Sequence, residues 1–348
     1  MEHLIEIVRR FVGKRVLVVG DVILDEYLIG RAARMSREAP IPVLEFEERR
    51  LIPGGAANPA ANIAALGATA IQSGVIGADG EGEALKGTLT ERRIEIAGLL
   101  VDGSRSTTVK TRIMAQMGLR FPQQVARLDR LARDPITPSL EAHLIAWMER
   151  AIPSVDAVLL SDYHGGLLTP TLVDRIARVA RDVRRDPAPL LTADAQRPPV
   201  LLTADAQGEL GKYSGFDAVK CNADEARAFL ARRLRTDDDF AAAALDLRDR
   251  LGLRVGMFIT RGADGITFAA VDEDGDHYAA HSRAPAAIDV YDTVGAGDTS
   301  IAVITLALAC GAAAVAAAAL ANAAGGIVVQ HVGNYAPTMG EMIAALAP

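Results

Sequence analysis

The sequence predicts one α/β domain over residues 1–348, built in three layers, α/β/α, around a mostly parallel sheet with a small second β-sheet acting as a lid. Three observations predict it. Short β-branched runs alternate with helical periods, the pattern of a parallel sheet covered on both faces. Polar residues gather where those runs end, the place where such sheets bind ligands. Two segments, about 25–50 and 104–130, break the alternation with polar/apolar repeats and no helix, as in STTVKTRIMAQ.

In chain order, Leu4, Ile5, Val8, Phe11 and Val12 fall on one helical face, so the N-terminus reads as a helix and lacks the apolar core of a signal peptide. RVLVVG (15–20) is the first strand, a helix spans about 57–66 and stops at Gly67, AIQSGVIG is the next strand, and a helix runs from about 80 to 92. Then come DAVLLSDY, a helix near 170–183, VLLTAD, FDAVKCN, a helix near 236–251 and VGMFITRG. The strand ends supply Gly20-Asp21, Ser161-Asp162, Asn222 and Thr260-Arg261-Gly262. The two irregular segments read as antiparallel strands whose sheet would exclude water from a cleft. The uncharged stretch Ile301 to Ala321 is mostly alanine and interrupted by Gly311, which predicts two buried helices rather than a membrane span. LLTADAQ occurs at 190–196 and at 201–207; the second copy has the sheet position, and about 187–199 reads as an inserted surface segment.

A formal charge of −7 and a pI near 5.5 argue against nucleic-acid or anionic-membrane surfaces and favour a small-molecule partner. Cys221 and Cys310 are far apart and lack metal-ligand spacing, so both read as buried thiols of a reducing, cytoplasmic compartment.

The most informative stretch is YDTVGAGDTS (291–300). It is neither a P-loop nor a G-x-G-x-x-G fingerprint. That fingerprint is also lacking after the first strand, which counts against a dinucleotide oxidoreductase, a rival that absence of NAD(P) binding would close. Gly295 and Gly297 let backbone N–H groups converge at the start of a helix and form an anion hole. The helix dipole would keep Asp298 ionised there. A carboxylate beside a bound phosphate makes sense as the base for an attacking hydroxyl, with the N–H groups stabilising the transferring group. The loop alone equally allows Asp298 to be a helix cap. GDVILDEY and PGGAAN place Asp21, Asp25, Gly54, Gly55 and Asn58 together as candidate polyol ligands, although each alone suits a turn or cap. NADE (222–225) either caps a helix or lets Asn222 and Glu225 orient waters around Mg²⁺.

DTVGAGD, with NAAGGIVV downstream and PGGAANPAANIAALGA upstream, resembles the ribokinase/PfkB sugar kinases, with the motifs in family order from about residue 15 to 340. The resemblance implies a ribokinase-like fold and an ATP-dependent carbohydrate kinase. In it Asp298 is the base and Gly295, Ala296 and Gly297 are the anion hole. Asp292 helps to hold a monovalent cation, K⁺, and Asn222 and Glu225 serve Mg²⁺. Thr260, Gly262 and Gly265 flank the nucleotide, with Asp205 or Gln207 nearby, and Asn322 lies near adenine. Val294 departs from the Thr or Ser usual there.

GDVILDEY, ARMSREAPIPVLEFEE, TTVKTRIMAQ and QQVARLD resemble the kinase domain of ADP-heptose synthases, which acts at C1 of D-glycero-D-manno-heptose 7-phosphate. That resemblance puts Lys110, Arg112, Gln124 and Arg127 on the lid and acceptor side, facing the substrate's phosphate, and Asp162 joins them from its strand end. SDYHGG and GLRFP (118–122) depart from the pattern. The chain reads as the kinase half alone, and a homodimer is implied by the family. Other acceptors (fructose, ribose, a nucleoside) and a non-catalytic nucleotide or sugar binder are the competing readings.

Overall fold

The computed structural model describes residues 1–118, 122–185, 200–272, 274–285 and 290–347. The chain opens with α1 (Glu2–Arg9), β1 (Arg15–Gly20), β2 (Val22–Met35), β3 (Pro42–Gly55), α2 (Ala57–Ala65), β4 (Thr69–Gly77), α3 (Gly80–Glu91) and β5 (Glu95–Asp102). It continues through β6 (Val109–Gln116), β7 (Gln123–Arg130), α4 (Pro138–Ala151), β8 (Ala157–Ser161), α5 (Pro170–Arg185), β9 (Leu201–Asp205), β10 (Ala218–Asn222) and α6 (Ala223–Leu230). It closes with α7 (Asp237–Leu251), β11 (Gly256–Thr260), β12 (Ile266–Val271), β13 (His277–Ser282), α8 (Ala296–Ala309), α9 (Ala314–Val328) and α10 (Met339–Leu346).

Nine strands form the large sheet in the order β13-β12-β11-β10-β9-β8-β1-β4-β5. All pairs from β11 to β5 are parallel, and β12 and β13 add an antiparallel edge. The central strand shows why this is a three-layer fold. Val16 and Val18 join an apolar core with α1, α2, α8 and α9, while Leu17 and Val19 join a second core with α4, α5 and α7. A strand buried on both faces must be apolar at every position, and RVLVVG is so after its first residue. Helix ends are set locally. Thr236 and Asp239 form a capping box at the start of α7, and Gly252 closes it in the left-handed region.

The second sheet has the order β3-β2-β6-β7. It corrects the expectation of purely antiparallel pairing: β2 pairs antiparallel with β3, but parallel with β6. A parallel pair needs a crossover, and β3 through β5 with their helices supply it between β2 and β6. A second correction concerns the N-terminus, where α1 ends at Arg9 and, although Phe11 is buried, Val12 is 57% exposed. The uncharged stretch is divided between α8 and α9, with Gly311 between them, and among the described residues no helix is long and apolar enough to cross a membrane. Both cysteines are buried thiols. The second LLTADAQ copy begins with β9, whereas the first copy and the whole of the 187–199 segment lie outside the described residues.

Candidate active site

The parallel strands β1, β8, β9, β10 and β11 end side by side, and the first turns of α2 and α8 face those ends. Asp298, in the first turn of α8, is 7% exposed. Its Oδ2 accepts from Asn58 Nδ2 at 2.7 Å and its Oδ1 from the Tyr163 hydroxyl at 2.5 Å. The amide of Asn58 is itself oriented: Thr299 donates to Asn62 Oδ1 at 2.8 Å, and Asn62 Nδ2 donates to Asn58 Oδ1 at 3.1 Å. Burial, reinforced by the Asp205 charge and opposed by the Tyr163 and Asn58 bonds and by Lys220, pushes the Asp298 carboxyl up to about 6. Burial thus outweighs the helix dipole that the loop sequence suggested. The group is a carboxylate at neutral pH, but a far better proton acceptor than a surface aspartate.

The helix start is bare. Gly295 occupies the N-cap at φ +83°, and no side chain caps α8 there. A Cβ on Gly295 would lie 2.9 Å from both Asn334 Oδ1 and Asn58 Nδ2, so glycine is required by conformation and by space. In the first turn the Ala296 N–H donates to the Thr293 carbonyl at 3.3 Å and the Thr299 N–H to the Gly295 carbonyl at 2.9 Å, and Lys220 is close by: its Nζ is 3.0 Å from where a Cβ on Gly297 would sit.

On the second-sheet side, Asp25 is buried and ion-paired with Arg112 Nη1 at 2.6 Å, and also accepts from Asn334 Nδ2. A Cβ at Gly54 would sit 2.4 Å from Asp25 Oδ2, which explains the glycine. Lys110 Nζ lies 5.1 Å from the Tyr163 ring centroid, and burial holds its ammonium below the usual lysine value. Beyond Asp25 on the same face of β2, Tyr27 and Ile29 join Arg50, Met114 and His331 around a cavity of about 410 Å³. Two expected acceptor ligands also take internal donors. Asp21 accepts from the backbone N–H groups of Tyr163, Gly165 and Leu167 at 3.0, 2.8 and 3.1 Å. Asp162 takes the Tyr213 hydroxyl at 2.7 Å, the His164 N–H at 3.0 Å and Lys212 at 2.7 Å. Each carboxylate is held by three internal donors, keeps acceptor capacity, and helps to fix the loop after β8. Gln124 and Arg127 are exposed on β7, where Arg127 pairs with Asp129 at 2.8 Å.

At the other end, Lys220 Nζ contacts Asp205 at 2.9 and 3.0 Å, both side chains buried. Burial disfavours its ammonium, but Asp205, then Glu225 and Asp298, outweigh that and hold the lysine above its usual value. Lys220 thus meets three acids among the described residues; burial above all, with Asp205 contributing, also raises the Glu225 carboxyl. Asn222 and Glu225 form a reciprocal capping box on α6. Thr260 Oγ1 bonds to the Cys221 carbonyl at 3.4 Å, and Gly262 and Gly265 bracket a tight turn after β11, both at positive φ. Asn322 donates to the Ser282 carbonyl at 2.7 Å and hydroxyl at 2.9 Å. Asp292 accepts from the N–H groups of Val294 at 3.0 Å and Gly333 at 2.9 Å. Among the described residues no three His, Cys, Asp or Glu side chains converge to hold a metal directly.

The family model for pfkB family carbohydrate kinases matches residues 14–339. The chain belongs to that family. It is therefore a phosphotransferase with an alcohol group as acceptor. Among curated relatives of this pfkB kinase, the bifunctional protein HldE of Caulobacter vibrioides is 38% identical over 97% of the chain and 64% of its own length. The bifunctional protein HldE of Geobacter metallireducens is 34% identical over 95% of the chain and 62% of its own length. The chain thus spans under two thirds of the relatives it matches. In fold it is similar to phosphofructokinase-2 from Escherichia coli (TM-score 0.73, 18% identity, 95% of this chain and 97% of that one). It is similar also to Arabidopsis thaliana ribokinase complexed with ribose and ATP (TM-score 0.70, 16% identity, 97% and 99%). The ribokinase-like α/β fold with its second, smaller sheet is as the sequence predicted.

Four residues that line or brace the cleft escaped the sequence reading. Lys220 had a signal, a lysine inside the apolar run AVKCN, since a charge buried in a strand needs a partner. Asn62 stands one helical turn after Asn58, the spacing at which side chains meet. Tyr163 and Asn334 sit in irregular loops, where no periodicity tells which way a side chain points.

Proposed function

We propose that this kinase transfers the γ-phosphoryl group of ATP to C1 of D-glycero-β-D-manno-heptose 7-phosphate. The observation that carries the reading is Asp298 itself: a buried carboxylate held by two neutral donors at the uncapped start of α8. Asp298 takes the proton of the acceptor hydroxyl, that oxygen forms the new bond to the γ-phosphorus, and the bridging P–O bond breaks with its electrons leaving on ADP. Charge on the transferring group is met by the N–H groups of Gly295, Ala296 and Gly297 at the start of α8 and by Lys220.

Asp25, Gly54, Gly55 and Asn58 hold the sugar, with Lys110 and Arg112 above it. The cavity beyond Asp25 gives length for the distal phosphate, toward which Gln124 and Arg127 contribute from the strand edge. Asp205, Asn222, Glu225, Thr260, Gly262, Gly265 and Asn322 surround the nucleotide. The oxygen donors Asn222 and Glu225 suit Mg²⁺ held through water, and the acids that Lys220 meets favour its arrival. When bound, Mg²⁺ neutralises charge on the β- and γ-phosphates. Asp292 serves K⁺. The second sheet closes as the lid, the chain works in the cytoplasm, and a homodimer is the working assembly. The likeness to HldE proteins supports the heptose acceptor.

The test is ADP release with ATP, Mg²⁺ and K⁺ over a panel of heptose 7-phosphate, fructose, ribose, fructose 6-phosphate and adenosine. Turnover on heptose 7-phosphate alone is expected. Turnover on an unphosphorylated sugar would reassign the acceptor, and silence across the panel would favour a binding module.

A further inference from the structure

We infer that Tyr163 is a positioning residue for proton transfer: its hydroxyl fixes the Asp298 carboxylate in the orientation and charge state in which that group receives the acceptor's proton. This rests on the reading of Asp298 as the base. The hydroxyl donates to Oδ1 at 2.5 Å, while Asn58 holds Oδ2 at 2.7 Å. An ionised carboxylate offers about four lone-pair sites. Two donors, one on each oxygen, lock the plane of the group and leave acceptor capacity on both oxygens for the sugar hydroxyl. Asn58 is anchored through Asn62 and Thr299, so without Tyr163 the carboxylate would keep one tether and could turn about it.

The chain invests heavily in placing this ring. Asp21 binds the backbone N–H of Tyr163 itself and those of Gly165 and Leu167, Asp162 binds that of His164, and His164 is held at φ +56°. Two buried aspartates at the ends of β1 and β8 thus frame one short loop whose side chain points at the base. From the second sheet, Lys110 covers the ring face at 5.1 Å, so closing that sheet on a substrate bears on the same tyrosine. The phenol stays protonated: burial, and then the Asp298 and Asp205 charges, raise it well above its ordinary value. It can donate to the carboxylate without competing for the proton that Asp298 is to accept.

The bond has a direction. A phenolic O–H stabilises the ionised form of Asp298 more than the protonated form, and so opposes burial and the Asp205 charge, alongside Asn58 and Lys220. The other charges near the pair are Asp25 on β2 and Lys110 on β6. Losing the donor should therefore move the acid limb of the rate profile to higher pH, which a loss of packing alone would not do.

The experiment is the pH dependence of kcat for wild type, Tyr163→Phe and Asp298→Asn, at saturating ATP and acceptor, so that titration of the substrates is common to all three. Tyr163→Phe is expected to move the acid limb up by about half to one pH unit and to lower the plateau kcat by about three- to thirtyfold, with ATP affinity unchanged. A Tyr163→Phe profile superimposable on wild type, or one lowered uniformly with its limb in place, overturns the inference. Asp298→Asn separates the two readings. If it retains wild-type turnover, the base assignment fails and this inference with it; if it is inactive while the Tyr163→Phe limb has not moved, only the role of Tyr163 fails. Should the phenylalanine variant not fold, difluorotyrosine at position 163, a stronger donor of nearly the same shape, is expected to move the limb to lower pH, and an unmoved limb again overturns the inference.

Discussion

The acceptor and nucleotide ends of the cleft handle negative charge in opposite ways. At the acceptor end every carboxylate is already engaged: Asp25 with Arg112 and Asn334, Asp298 with Asn58 and Tyr163, Asp21 with three N–H groups. At the nucleotide end one ammonium, Lys220, faces Asp205, Glu225 and Asp298, and the Asn222–Glu225 pair is satisfied only by its own helix. The first region is organised before substrate arrives; the second sets three acids against Lys220. A phosphoryl-transfer site gains from that division, because the groups that meet the sugar must be positioned, whereas charge at the phosphates can arrive with the nucleotide's own metal.

The largest effect should come from removing the proton acceptor that both regions share. Asp298→Asn is expected to lower kcat by about 10²–10⁴ while ATP binding is kept. The wild-type rate should itself fall as pH drops through about 6, because below that value Asp298 is protonated and no longer basic enough to accept the hydroxyl proton. Steady-state ADP release across pH checks both, and a variant that kept the wild-type acid limb would dissociate that limb from Asp298.

Next in size is the buried pair. Lys220→Met leaves Asp205 buried and unpaired, which costs about 3–5 kcal/mol of stability, readable in urea unfolding. The double change Lys220→Met with Asp205→Leu should recover most of that stability but not the turnover. If it recovered both, Lys220 would be structural, and the contrast between the ends would lose the cation that faces Asp205, Glu225 and Asp298.

How much of this was legible beforehand differs by region for physical reasons. The parallel strands and their helices were readable because burial on two faces forces unbroken apolar runs such as AVLLS and GMFIT. The base loop was readable because two glycines and an acid before an apolar helix admit few uses. The parallel pairing of β2 with β6 was not, since alternation reports a half-buried strand and says nothing of its partner's direction. Nor were the internal bonds of Asp21 and Asp162; only coordinates show Asp21 accepting from three N–H groups of the loop that holds Tyr163, and Asp162 from His164 of that loop together with Tyr213 and Lys212. Lys220 and Asp205 come from different strands, and the register that joins them, Lys220 opposite Asp205, is a tertiary fact.

The smallest effect tests whether the nucleotide end is as uncommitted as it looks. Asn222→Ala removes the side chain that accepts from the Asp224 and Glu225 N–H groups at 2.9 Å each, and caps of this kind are worth about 1 kcal/mol. If Asn222 only caps α6, the loss should appear in unfolding and leave the Mg²⁺ dependence of the rate untouched. If it also orients water around the metal, the Mg²⁺ concentration for half-maximal rate should rise about three- to tenfold, while the acceptor KM holds, because no acceptor group lies on this side. A rise in acceptor KM instead would mean that the two ends communicate through Lys220 and Asp298, and that the division of labour between them is less complete than their geometry implies.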